Sequence, residues 1–194
     1  MLAKEDILKI INECRKIGEQ GLNEVIASVP TLSVDFLLPP KDFLGISNNP
    51  AIFVNHDTYR LLGKHHHVWR KNKTIAVKED FLEKEPMMII GIIVHEVGHA
   101  FNVAAGITNS ESNAYLFEIE VLSLWVKTGN SMLFNCSASD VQAFFESRLS
   151  MYRMEIRGNE HLARLVEAIE KKEIFSLPQN TSAESSELLP MLSS

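Results

Sequence analysis

The chain has 194 residues, 45% apolar and 23% charged, with a formal net charge of −6. That length allows one domain with a tail, and the balance of 25 Asp+Glu against 19 Lys+Arg argues against nucleic acid or a membrane as partner. Two cysteines, Cys14 and Cys136, are too few for a disulfide framework, so a reducing, cytoplasmic setting is the default expectation. Acidic residues in the opening MLAKEDILKIINE speak against a signal peptide. The longest apolar run, residues 87–94, falls far short of the ~20 residues that cross a bilayer.

In chain order, residues 3–28 read as one or two amphipathic helices. Ile7, Leu8, Ile11, Cys14 and Ile17 recur at helical steps, Gly18 and Gly21 interrupt them, and Pro30 ends the segment. Residues 33–38, 51–55 and 74–78 are β-branched or aromatic and separated by turn-rich pieces, which predicts three short strands. Pro86 opens a helix expected to run to about Ala105, with Gly106 as its stop. Ser110 caps a second helix to about Lys127, stopped by Gly129 and Asn130; Ser139 or Asp140 caps a third to about Arg157; a fourth covers about residues 160–173. The expected class is α+β: one domain over residues 1–175, with its small sheet packed on the helix that Pro86 opens, and a flexible, Ser-rich tail over 176–194.

The chemistry lies in Val94-His95-Glu96-Val97-Gly98-His99, a His-Glu-x-x-His pattern on a predicted helix. Residues four apart on a helix sit about 40° apart around the axis and about 6 Å along it, so His95 and His99 can offer nitrogens to one metal ion. Glu96 lies about 100° round from His95, where its carboxylate misses the metal but reaches a water beside it, as a general base must. Ile90, Ile93, Val97, Ala100 and Phe101 fall on the opposite, buried face, while Gly91 and Gly98 fall on the histidine side. Each glycine costs about 1 kcal/mol relative to alanine in a helix, so the pair points to another backbone approaching there.

A catalytic zinc takes a third protein ligand and keeps one position open. The three-histidine pattern fails, because Ala105 stands where the third histidine belongs and Asn102 replaces the intervening glycine. Glu111-Ser112-Asn113-Ala114 resembles the Glu-x-x-Ala segment that carries the third ligand in the gluzincins, the thermolysin-like and related short bacterial metallopeptidases. Glu118, seven residues on, nearly shares a helical face with Glu111. One of the two can bind metal while the other hydrogen-bonds a ligand histidine; Glu111 is favoured as ligand, and Glu118 reads as that outer partner or as an ordinary solvated helix residue. Glu120 points away and reads as a solvated residue. His56, His161, Tyr115 and Tyr152 all remain open as stabilisers of a developing oxyanion, with Tyr115 and His161 carried forward. His65-His66-His67 reads as a solvated or substrate-facing loop, Trp69 and Trp125 as packing, and Phe144-Phe145 with Tyr152 as helix core.

Residues 74–127 thus resemble a compact zincin metalloprotease, and the chain as a whole resembles Legionella effector metalloproteases that cleave host actin. The resemblance implies a Zn2+-dependent endopeptidase with a protein substrate, actin first. It implies delivery into a host cytosol by a type IV secretion system, for which the tail with Glu184, Glu187 and Leu192 is compatible. By the same analogy the strand over residues 74–78 would be the edge along which a substrate peptide pairs. Two alternatives stand beside it: a regulatory metallopeptidase cutting a bacterial repressor, and a non-catalytic binding module whose zinc only fixes the fold.

Overall fold

A computed structural model describes residues 2–37, 49–55, 58 and 67–177. Among them six α-helices accompany a three-stranded sheet: α1 (Lys4–Gln20), α2 (His67–Asn72), α3 (Pro86–Ala105), α4 (Glu111–Thr128), α5 (Ala138–Glu155) and α6 (Glu160–Glu170), with β1 (Ser33–Leu37), β2 (Ala51–Phe53) and β3 (Thr74–Lys78). The class is α+β, weighted toward helix.

Helix α1 is a single helix shorter than the expected 3–28. Ile7, Ile10, Ile11, Cys14 and Ile17 bury one stripe, Gly18 is accommodated inside the helix, and Gly21, at φ 101°, ends it. Helix α3 begins at Pro86 and closes on Gly106 in the left-handed region, as its sequence signals require. Its expected back face is buried, but so are Gly91, Ile92, Val94, His95 and Gly98 on the histidine side. By length and composition α3 is apolar enough to cross a bilayer, which the 87–94 run alone concealed; 78% of its apolar window is buried inside the protein, so it serves as the central core helix.

The two glycines of α3 make room for different things. A Cβ on Gly98 would stand 3.1 Å from the Ala114 carbonyl oxygen and 3.2 Å from its Cα, so the α4 backbone does approach there. At Gly91 the neighbour is a side chain rather than backbone, the Phe144 ring of α5, which a Cβ would meet at 2.1 Å. Helix α4 is capped by Ser110, whose Oγ accepts the Asn113 N–H at 3.2 Å. Helix α5 is capped by Ser137, not by Ser139 or Asp140. Asp140 instead sits inside the first turn and returns a carboxylate oxygen to the Ser137 N–H at 2.6 Å, a reciprocal capping box that fixes the start two residues early. Helix α6 is capped by Asn159 and stops at Glu170, before the expected 173, because Lys172 turns the chain at φ 59°.

In the sheet β3 is central: β1 pairs with it in parallel and β2 antiparallel, giving the order β1-β3-β2. The expectation that residues 74–78 form an edge is therefore overturned; among the described residues the edges are β1 and β2. Alternation assigns the faces. Ala51, Phe53, Ile75 and Val77 join the main core with α1 and α3, whereas Ile52, Val54 and Ala76 pack against Trp69 of α2. Part of the segment read as a loop around the histidine run is thus α2, entered at His67; Lys73, at φ 48°, turns the chain from it into β3. His56, His65, His66 and residues 178–194 lie outside the described residues. The end of the described chain is tied down by Lys127, whose Nζ donates to the Leu177 carbonyl at 2.5 Å.

Candidate metal centre

The close α3–α4 crossing at Gly98 and Ala114 brings the motif histidines opposite the start of α4. His95 Nε2 stands 3.1 Å from Glu111 Oε2, and His99 Nε2 stands 3.5 Å from Glu111 Oε1. The imidazole rings are perpendicular, with centroids 4.9 Å apart. Donor atoms of His95, His99 and Glu111 all lie within 4.8 Å of one another, and this group could hold a metal ion. Bonds of ~2.1 Å to one ion would draw such a set together.

The outward nitrogens test the fit. His99 Nδ1 lies 2.8 Å from Asn109 Oδ1, an acceptor that suits an Nδ1–H and leaves Nε2 as the nitrogen that would meet a metal. His95 Nδ1 faces Glu118 Oε2 at 2.9 Å, in ion-pair contact but outside hydrogen-bond alignment. Both rings thus turn Nε2 inward and rest Nδ1 on an oxygen, as histidines that bind metals do. The residues present fit a divalent ion.

Glu96 stands apart from the three donors. Its Oε2 accepts the Phe53 N–H at 2.6 Å, across from α3 to the edge strand β2. The pairing of the sheet leaves that amide free to donate. Val54 N–H bonds the Thr74 carbonyl and Lys78 N–H bonds the Pro50 carbonyl, so the intervening Phe53 turns its own N–H away from β3.

Glu118 is fully buried and carries a dense set of contacts. Its Oε1 accepts Arg148 Nε–H at 3.0 Å and the Tyr152 hydroxyl, while Oε2 is the atom facing His95. Arg148 is itself buried and lies over three rings, Tyr115 and Phe144 at 5.4 Å and Tyr152 at 5.9 Å. Tyr115 packs on His95 with centroids 4.9 Å apart, and Tyr152, turned onto Glu118, meets Tyr115 edge-on.

His161 is not at this centre. Its Nε2 donates to Glu120 Oε1 at 2.5 Å, on the other side of α4, and its Nδ1 accepts from Arg164 at 2.6 Å. Glu120 does point away from the histidines, but it is paired and largely buried rather than solvated.

The electrostatics follow from burial set against charge. Burial alone would lower the His95 pKa, yet its contacts with Glu111 and Glu118 raise it to about 9. Burial would raise Glu118, but the Arg148 charge, His95 and Tyr152 hold it below the ordinary carboxylate value. Glu111 is held far below it by the two histidines. Glu96 is pushed up by burial, partly offset by His99, His95 and the Phe53 amide. Burial and then the Glu111 charge push Tyr115 up to about 12, so it stays a phenol at neutral pH.

Sequence reasoning passed over three contributors: Arg148, Asn109 and the Phe53 amide. Only Arg148 left a signal, since it stands at i+4 between Phe144 and Tyr152, a charge inside an otherwise aromatic stripe. No protein-family model, curated protein or solved structure matches the chain.

Proposed function

We propose that the protein is a zinc-dependent endopeptidase of zincin type. The observation that carries this reading is the division of labour on α3: His95 and His99 converge with Glu111, while Glu96 is held aside by the Phe53 amide at 2.6 Å. His95, His99 and Glu111 would hold the ion, which when bound supplies Lewis-acid polarisation of a peptide carbonyl and of the attacking water.

The chain's own residues do the rest. Glu96 takes a proton from the water and passes it to the departing amine; its buried setting raises its basicity toward the range such a shuttle needs. The Phe53 N–H holds one carboxylate oxygen and leaves the other for the water. Tyr115, still a phenol at neutral pH, is the side chain best suited to donate to the developing oxyanion. A substrate strand is not expected along the central β3, whose two sides are paired with β1 and β2.

The resemblance to actin-cleaving effector metalloproteases makes actin the first substrate to try, and delivery into a host cytosol by a type IV system belongs to the same reading. The test is incubation of zinc-loaded wild type and Glu96→Ala with purified actin, host lysate and bacterial lysate. The wild type is expected to remove a discrete band, and the variant to lose at least ~10³-fold in rate while keeping its zinc and its circular dichroism. Equal cleavage by both proteins would refute the mechanism; disappearance of a bacterial band alone would redirect it to a regulatory substrate.

A further inference from the structure

We infer that Arg148 of α5 is a positioning residue for the metal centre, acting on His95 through Glu118. The inference rests on the zinc reading of the site and deepens it, because it gives a role to a helix that contributes no ligand.

A carboxylate has two oxygens, and its rotation decides which of them a neighbour meets. In Glu118 they are divided. Oε1 is held by two donors from α5, Arg148 Nε–H at 3.0 Å and the Tyr152 hydroxyl one turn further on. With that oxygen fixed, Oε2 is left pointing at His95 Nδ1, 2.9 Å away. The His95 ring is then set with Nε2 toward Glu111 and His99. The chain of contacts runs from Arg148 through Glu118 and His95 to the shared donor cluster, and every member but the last is buried.

Arg148 is in turn built into its place. Its guanidinium lies over Tyr115, Phe144 and Tyr152, and the Phe144 ring occupies the space that any Cβ on Gly91 would take. Gly91 of the motif helix therefore admits the ring on which the arginine rests. A planar guanidinium suits this site better than an ammonium, because it stacks on rings while directing one N–H along a fixed line.

The alternative is that Arg148 is only the buried counter-charge of Glu118, with no bearing on the ligand. The two differ in a double-mutant cycle read by zinc affinity, using chelator competition on the full chain. Arg148→Met is expected to weaken zinc binding about 10-fold, the low end of the 10–100-fold that loss of the outer partner of a ligating histidine costs, and Arg148→Lys to recover part of it. In a Glu118→Gln background Arg148→Met should cost less than about twofold, because the route to His95 has already been cut. Tyr152→Phe, which keeps the ring and removes one donor to Oε1, covers the case in which Arg148→Met does not fold; it should weaken zinc binding measurably with an unchanged far-ultraviolet spectrum.

Unchanged zinc affinity in Arg148→Met, or in Tyr152→Phe where that variant must stand in, overturns the assignment, and so do additive losses in the cycle. These results are separable from failure of the peptidase reading, which would appear as wild type that binds zinc in this manner yet cleaves nothing. Wild type that takes up no zinc would overturn both.

Discussion

Helix α4 carries two glutamate–histidine pairs on opposite sides, and only one adjoins the donor group that could hold a metal ion. Glu118 and Glu120 are two residues apart, about 200° around the helix. Glu118 faces His95 at 2.9 Å and Glu120 faces His161 at 2.5 Å, so the tighter pair is the one away from the centre. What separates them is the second nitrogen of each ring. His95 turns Nε2 toward Glu111 and His99, whereas His161 has Nδ1 taken by Arg164 at 2.6 Å. An acid beside an imidazole is thus not enough; a metal centre needs the opposite ring atom turned to a point shared with other donors. The carboxylates differ in sign as well. Glu118, though fully buried, is held below its ordinary pKa by Arg148, His95 and Tyr152 acting against burial, while Glu120 is pushed above it by burial that His161 does not fully offset.

The largest effect that tests this contrast is on folding. Glu118→Ala leaves Arg148 in the core with aromatic rings but no carboxylate, and removing one partner of a buried ion pair costs about 3–5 kcal/mol. Urea denaturation of the metal-free protein should show that loss. A cost below about 1 kcal/mol would mean that the rings alone satisfy Arg148.

A smaller effect concerns pH. The His95 pKa of about 9 lies above its ordinary 6.5, so in the metal-free protein the imidazolium contributes stability that is complete below about pH 6.5 and is lost as pH rises through about 9. A metal ligand must give up that proton. Zinc affinity should therefore rise with pH across the same window, by about tenfold per unit for one proton displaced, while the metal-free protein loses stability. Chelator competition between pH 6 and 9.5 checks this, and a flat profile would show that Glu111 and Glu118 do not hold His95 charged.

Much of this arrangement was legible in the sequence where local chemistry fixes geometry. Pro86, Gly106, Ser110 and Gly129 mark α3 and α4 to within about one residue, and the four-residue spacing of His95 and His99 sets both rings on one side of α3. The Ser110 cap sets Glu111 in the first turn of α4, while its choice as third donor rests on the resemblance of Glu111-Ser112-Asn113-Ala114 to a Glu-x-x-Ala segment. Non-local facts were not legible. Which strand lies at the edge depends on pairing partners far apart in the chain, and β3, adjacent to α3 in sequence, turned out to be central. Gly91 gives no hint that it faces the Phe144 ring rather than a backbone. Arg148 lies 30 residues from the glutamate it holds, and its role emerges only when α5 is packed on α4.

The smallest expected effect falls on the other side of α4. Glu120→Gln keeps the volume and one acceptor for His161 Nε2–H while removing a charge that burial disfavours. Because the folded-state pKa of Glu120 is raised, its ionised form is a liability above that pKa, and losing the charge should change stability at pH 7 by less than about 1 kcal/mol, in either direction. Zinc affinity should stay within about twofold of wild type, since neither Glu120 nor His161 touches the donor cluster. If Glu120→Gln instead weakened zinc binding as much as Glu118→Gln, the two faces of α4 would be coupled through the helix. Convergence with two further donor residues, which His95 has and His161 lacks, would then not be what sets zinc affinity.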